Sequence, residues 1–543
     1  MKLLLAGSIL ALAVPSEEPG HHHEPQLGKV RFATTCNADA EGVFERGLAW
    51  QHSFEYLRAA RDFSEAAAAD PTCGIAYWGV AMSYYHPLWA APTPDELAKG
   101  SAALAKARQA GARSQREKDY ITALGAFYDA ADKTDHKTRV LAYEAAMEQL
   151  HQRYPDDREA EVFDALALIA AGTLDQDPDY ARERRAGAML NAVLKQEPDH
   201  PGVAHYLIHS FDYPGLADLA LPAARRYASI APDSAHAQHM PSHIFTRLGL
   251  WEESISSNRA AEAAAIAWGK KSGMSGAWDQ QLHAMDYLAY AYLQTGRDRQ
   301  AEKVFTELLA INGANPTPTT AYAVTSIPAR ILLEQRRWSE AAKFKMPSNL
   351  ASLEALITHK WAAANVQFAN AVGAARSDNP ASAREHVARL AAIERSVIVP
   401  PGTYDWQQQV SIERQIAEGW LAFAEGRKDD AARIMRAAAD LDDAAEKHPV
   451  TPGAVLPARE QLAELLVQLG RPAEGLREYE ASLQRAPRRL AGVYGAARAA
   501  RLAGDATRAR RYFAELADIT KEGDADRAEV KEARAFATQT AQQ

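Results

Sequence analysis

Five small, aromatic and proline positions repeat along this chain at a fixed interval, and few architectures accept them. In GLAWQHSFEYLRAARDFSEAAAADPTC (Gly47 to Cys73), residues Gly47, Ala59, Phe63, Ala66 and Pro71 fall at positions 8, 20, 24, 27 and 32 of a unit that begins at Ala40. The pattern recurs. Pro232 in SIAPDS sets a unit beginning at Pro201, Gly249 in LGLWEES one at Ala235, and Gly296, Ala301 and Phe305 in QTGRDRQAEKVF one at Leu282. LAFAEGRKDDAARIM, QLGRPAEGLREYEASLQRAP and RLAGDATRARRYF set units near Ile412, Leu456 and Leu490, and weaker units fill 74–155, 158–198 and 322–396. A helix-turn-helix unit of about 34 residues buries its apolar face only by stacking on neighbours, so the chain must form a continuous array.

These positions resemble those of the tetratricopeptide repeat, over most of the chain. The resemblance implies an all-α fold, a right-handed superhelical solenoid of antiparallel helix pairs. Composition agrees: 47% hydrophobic residues with 8% aromatics means mostly Ala and Leu, which suit close helix contacts. Three stretches rich in Gly, Pro, Asp and Ser break the period and read as loops: Thr173 to Tyr180, Lys270 to Gln281 (KKSGMSGAWDQQ), and the region around EKHPVTPG, Glu446 to Gly453. Long loops in a compact solenoid are more often functional than decorative, and KKSGMSGAWDQQ is a candidate lid. The expected organisation is a leader over 1–20, a flexible segment over 21–35, an N-terminal and central solenoid with a His-rich groove over 36–396, C-terminal repeats over 397–530, and a tail over 531–543.

Lys2, the apolar run Leu3 to Val14 and the small-residue site Ala11-Leu12-Ala13 have the form of a secretory signal peptide. The run is short for a bilayer span, so a periplasmic or secreted protein is expected, with membrane retention through an uncleaved leader as the other reading. No later run is apolar enough for a transmembrane segment in the mature chain. Cys36 and Cys73, the two cysteines, flank the first helix pair, whose antiparallel packing brings its ends together. A disulfide stapling the terminal repeat is expected; two unrelated buried thiols are the alternative. A net charge of -9 without a basic stripe argues against nucleic acid as partner. There is no Gly-rich nucleotide loop, Cys metal spacing or GxSxG elbow.

Five of the 17 histidines lie with Asp212 in HYLIHSFDYP and HAQHMPSHIF. On the first helix of a unit, positions 4, 7, 8 and 11 face the second helix, while 2, 5, 9 and 12 lie about 140° away, with 13 at the edge. In the tetratricopeptide family that second face lines the concave surface. His205, His209, Asp212 and Tyr213 take positions 5, 9, 12 and 13 of the unit from Pro201; His236, His239 and His243 take 2, 5 and 9 of the next; His283 and Asp286 take 2 and 5 of the unit from Leu282. Six histidines on three successive inner helices therefore share one face. His52 and His86 fall on position 13 of the first two units.

Histidines at i and i+4 present two imidazoles to one ion, and adjacent inner helices are close enough to add others. The expected site is one or two transition-metal ions held by His205, His209, His236, His239, His243 and His283. Thiolate-free, imidazole-rich ligation suits copper or zinc first, with iron or nickel also open. Asp212 and Asp286 would be ligands or general bases of a metal-dependent hydrolase or oxidase, if the protein is an enzyme. His52, His86, Tyr213, Tyr290 and Arg330 could extend the groove, the arginine toward an anionic substrate. Individually, His52 and His86 could equally be buried residues bonded to backbone. The alternative function is a metal-free scaffold binding a small molecule, a peptide or a protein partner in the groove, with histidines as pH-sensitive contacts. The tract His21 to His23 reads as a tail.

The stretches PTCGIAYWGVAMSYYHPLW, HMPSHIFTRLGLWEESI and EKHPVTPGAVLPARE resemble a group of exported bacterial tetratricopeptide-repeat proteins without an assigned activity. That resemblance implies fold and export and leaves the chemistry to the residues themselves.

Overall fold

A computed structural model describes residues 24–541 apart from 89, 175, 176 and 525; the leader and the tract His21 to His23 lie outside the described residues. Antiparallel helix pairs follow one another along the chain. Ala38–His52 packs on Tyr56–Ala69, Pro201–Phe211 on Ala217–Ile230, and Asp279–Gln294 on Asp298–Leu309. Further on, Trp406–Ala424 packs on Lys428–Asp443, Ala458–Gln468 on Pro472–Arg485, and Leu490–Leu502 on Ala506–Ile519. The fold is an all-α solenoid of the tetratricopeptide type. In the unit from Ala235 the inner helix is divided into Ala235–His239 and Pro241–Arg247, because Pro241 brings no N–H to the ladder.

Two turn glycines show how the ends meet. Gly249 and Gly296 close the inner helices of their units with φ of 66° and 67°. A side chain there would be strained, and it would also collide: a Cβ on Gly249 would sit 2.7 Å from the Pro487 carbonyl oxygen, and one on Gly296 2.9 Å from Val530. The C-terminal repeats thus fold back onto the central ones. One apolar cluster joins residues from Trp251 to Leu353 with others from Ala463 to Ala533, and another runs from Ala329 to Leu466, across residue 397. Polar clamps reinforce the contact. Trp251 Nε1 donates to the Arg488 carbonyl at 2.9 Å, and the buried Arg489 lies between Glu334 at 2.6 Å and Glu460 at 3.0 Å.

At the other end, the segment expected to be flexible is held from Gln26 onward, whose N–H donates to Asp233 Oδ2 at 2.7 Å. Leu27, Val30 and Phe32 are buried in the first apolar cluster, and Lys29 N–H donates to Asp199 O at 3.0 Å. Apolar residues at this spacing give an extended strip something to bury, which composition alone concealed. Of the stretch expected as a tail, residues 531–541 belong to the helix Ala528–Ala541. Cys36 and Cys73 are disulfide-bonded, 5.0 Å apart at Cα. No described helix is long and apolar enough to cross a membrane.

Candidate metal centre

The six phased histidines meet, but in a chamber rather than an open groove. His205 and His209 come from Pro201–Phe211, His236, His239 and His243 from the divided helix, and His283 from Asp279–Gln294. Their exposure runs from 0% to 8%, so the concave face expected to be open is roofed at this point. They form two sets, His205/His209/His236 and His239/His243/His283, each with ligand atoms within 4.8 Å of one another. In the first, His205 Nε2 is 3.1 Å from both His209 Nε2 and His236 Nε2. In the second, His239 Nε2 is 3.0 Å from His243 Nε2, and the His283 ring centre is 4.1 Å from that of His239. The sets adjoin, with ring centres 6.4 Å apart between His209 and His243 and 6.3 Å between His236 and His239.

What orients the rings decides their chemistry. His205 Nδ1 is 2.7 Å from the backbone carbonyl of His52, and His243 Nδ1 is 2.9 Å from Asp212 Oδ2. His239 Nδ1 is 2.7 Å from Asn258 Oδ1, an amide whose orientation is set by Nδ2 donating to Ser254 O at 2.8 Å. His236 Nδ1 lies 3.3 Å from Gln280 Oε1. A carbonyl or carboxylate oxygen only accepts, so each Nδ1 carries the proton and each Nε2 keeps its lone pair. His239 and His243 consequently aim two bare lone pairs at each other across 3.0 Å. A cation between them would turn that repulsion into ligation, and a pinned Nδ1–H is the usual support for a metal-bound imidazole.

A proton would serve the same end only at the expense of a buried charge. Burial first, and neighbouring histidines second, hold His205, His209, His239 and His283 well below the ordinary imidazole range. Burial takes His236 down to about 3, and it lowers His243 even against the pull of Asp212. Six neutral imidazoles are the protonation state that ligation requires.

Asp212 serves as an anchor and has little left for a metal. Oδ2 accepts from His243 and from Lys447 Nζ at 3.1 Å, and Oδ1 accepts from Arg247 Nε at 2.8 Å. Burial pushes its carboxyl up, but Lys447, Arg247 and His243 together hold it well below the usual range. Asp286 belongs to another network: Oδ1 accepts from Ser326 at 2.9 Å and from Arg330 Nε at 3.2 Å. Arg330 is fully buried and also donates to Ala454 O, Gly453 O and Thr451, so it ties down a loop and does not reach solvent or a groove ligand. Tyr290 accepts from Arg489 at 2.9 Å, and Tyr213 stacks near Tyr180 and reaches Glu183. His86 stands apart from the chamber, its ring 4.7 Å from Tyr56.

His52 joins a third group with Glu159 and His200, all buried. Its hydrogen bonds speak against metal. His200 Nδ1 accepts from Val203 N–H at 3.3 Å, which leaves the proton on Nε2, donated to Glu159 Oε1 at 2.9 Å. A neutral imidazole has one lone pair, and here the backbone uses it. Glu159 Oε2 takes the second bond, 2.9 Å from His52 Nε2. The group is a hydrogen-bonded carboxylate clamp that holds the His52 ring, and the carbonyl of the same residue orients His205.

The loop KKSGMSGAWDQQ, expected as a lid, contributes Gln280 to the chamber and buries Trp278 near Arg58. The cover over Asp212 is instead the strap Glu446 to Gly453. Lys447 holds Asp212, Glu446 meets Arg247 and the Tyr180 hydroxyl, and the Tyr287 hydroxyl donates to Thr451 O at 3.2 Å. Asn258, Gln280, Arg247, Lys447, Glu159 and His200 are thus the working residues that the repeat phase did not find. EKHPVTPG stood out as a break in the period and as part of the resembling stretch EKHPVTPGAVLPARE, and neither singled out Lys447.

No protein-family model matches the chain, and no curated protein matches it. Among solved structures, the human IFIT1 dimer with m7Gppp-AAAA is 12% identical, covering 89% of this chain and 96% of that one at a TM-score of 0.38. The TPR domain of P58(IPK) is 13% identical, covering 93% and 100%, at a TM-score of 0.21. Likenesses this faint set no constraint on what this chain binds.

Proposed function

We propose that this protein binds two transition-metal ions, one in each three-histidine set, with copper or zinc the best-suited metals and iron or nickel the others that imidazole ligation admits. The observation that carries the proposal is the pair of proton-free Nε2 atoms of His239 and His243, 3.0 Å apart and fixed from behind by Asn258 and Asp212. Three neutral nitrogens per ion leave a coordination position open, the arrangement of a reactive rather than a purely structural site. Hydrolysis and oxidation are both compatible with such a centre, with Asp212 orienting a ligand and Asp286 lying outside it. The burial of all six histidines disfavours a peptide groove at this place. A leader of secretory form and the Cys36–Cys73 disulfide support export to an oxidising compartment.

The test is metal content by mass spectrometry on mature protein purified without chelator, then challenged with copper, zinc, iron and nickel in turn. Two retained ions per chain are expected. Retention of none under any loading would refute the proposal.

A further inference from the structure

We infer that the loaded centre takes a small anion, which enters past Arg247 and Lys447 through the cavity beside the strap; this rests on the two-ion reading above. Charge makes the argument. Two divalent ions would bring four positive charges into a buried chamber whose six imidazoles are neutral. Asp212, the carboxylate that touches the histidines, is already shared between Lys447 at 3.1 Å and Arg247 at 2.8 Å. Glu446 is likewise shared between Arg247 at 3.4 Å and Arg485 at 3.6 Å, and Asp286 is paired with Arg330. The protein therefore supplies no spare negative charge at the centre, and uncompensated charge away from water is costly. An exogenous anion supplies what the chain withholds.

Geometry gives the route. His209 and Asp212, each 8% exposed, are the least buried members of the centre, while the other five histidines are at 2% or less. Asp212 faces the strap. On its other side lies a cavity of about 110 Å³ lined by Thr246, Arg247, Lys447, Tyr290, Tyr322 and Trp406 among others. Arg247 and Lys447 border both the cavity and Asp212, and so present their cationic ends at a junction between the two. The volume is smaller than the ~150 Å³ cavity that accepts a benzene ring. The fitting ligand is an anion of a few atoms.

The probe is azide, titrated into protein loaded with two Cu(II), or with Co(II) as a coloured substitute for zinc, and followed by visible absorption and calorimetry. Saturable binding to the wild-type protein is expected. Lys447→Met, with azide binding referred to the ions that each preparation holds, should bind azide about tenfold more weakly, because a charge is removed from the entrance, while Lys447→Arg should restore binding. Equal azide affinity in Lys447→Met, or a loaded wild-type protein that ignores azide, would overturn the inference and leave the metal reading standing. A wild-type protein that loads no metal overturns both. Should Lys447→Met not fold, the wild-type protein still decides: naphthalenesulfonate must fail to compete with azide, and effective competition would refute entry through a cavity of this size.

Discussion

Replacing Asn258 by Leu would tell the two proposed ion sites apart. Asn258 is fully buried, close to leucine in shape, and its Oδ1 holds His239 Nδ1–H at 2.7 Å. Without that acceptor the donor is left unsatisfied, which costs the metal-free protein about 1–3 kcal/mol. The ring also loses its fixed tautomer and angle, and losing such a support typically weakens metal binding by about 10- to 100-fold, or about 1.4–2.7 kcal/mol. The loss should fall on one ion. In the other set, His205 is anchored by the His52 carbonyl and His236 by Gln280, and the substitution leaves both in place. Dialysis against graded chelator should show one ion released at about 10- to 100-fold lower chelator than in the wild-type protein and the other unchanged. Asn258→Asp keeps an acceptor and should retain both. Equal weakening of the two ions, or an Asp variant as impaired as the Leu variant, would refute the claim that Nδ1 anchoring prepares the site.

Other consequences are open to direct measurement. Glu159→Gln should lower the melting temperature, since a buried carboxylate serving His52 and His200 is lost, while metal stoichiometry stays at two; a fall in bound metal equal to one ion would make the clamp a metal site after all. Burial pushes the Glu413 carboxyl up to about 8, so its proton is kept on folding. That contribution is present below the unfolded value near 4.5 and is lost as pH rises toward 8, so the stability gain of Glu413→Gln should grow across that window; a pH-independent difference between the two proteins would contradict it. Cys36→Ser opens a loop with a sequence separation of 37 and should cost about 4 kcal/mol under oxidising conditions and nothing under reducing ones. An equal loss in both would show that the thiol position, and not the bond, matters.

The repeat phase made the histidines legible because a period fixes which face each position occupies. His205, His209, His236, His239, His243 and His283 needed no contact information beyond that. The anchors were illegible for the same reason. Asn258 lies on the outer helix of its pair, Gln280 at the mouth of a loop, and Lys447 in a break between repeats, so none has a phase to read. Burial was hidden too. A solenoid read locally has an open inner face, and here the strap Glu446 to Gly453 covers it through Lys447 on Asp212 and Thr451 on Tyr287. Arg330 shows the cost of reading position without partners: placed on the groove by its number, it is consumed by Asp286 and by the carbonyls of the strap.

All six imidazoles belong to residues 205–283, whereas the strap that covers them begins at Glu446. The chamber can therefore be complete, and accessible, before its cover has been made or docked. Ions would then enter most readily before residues 446–543 close over the chamber, and in the finished molecule they would have to pass the Lys447–Asp212 contact. The finished molecule would load more slowly than a chain that folds with the metal already present.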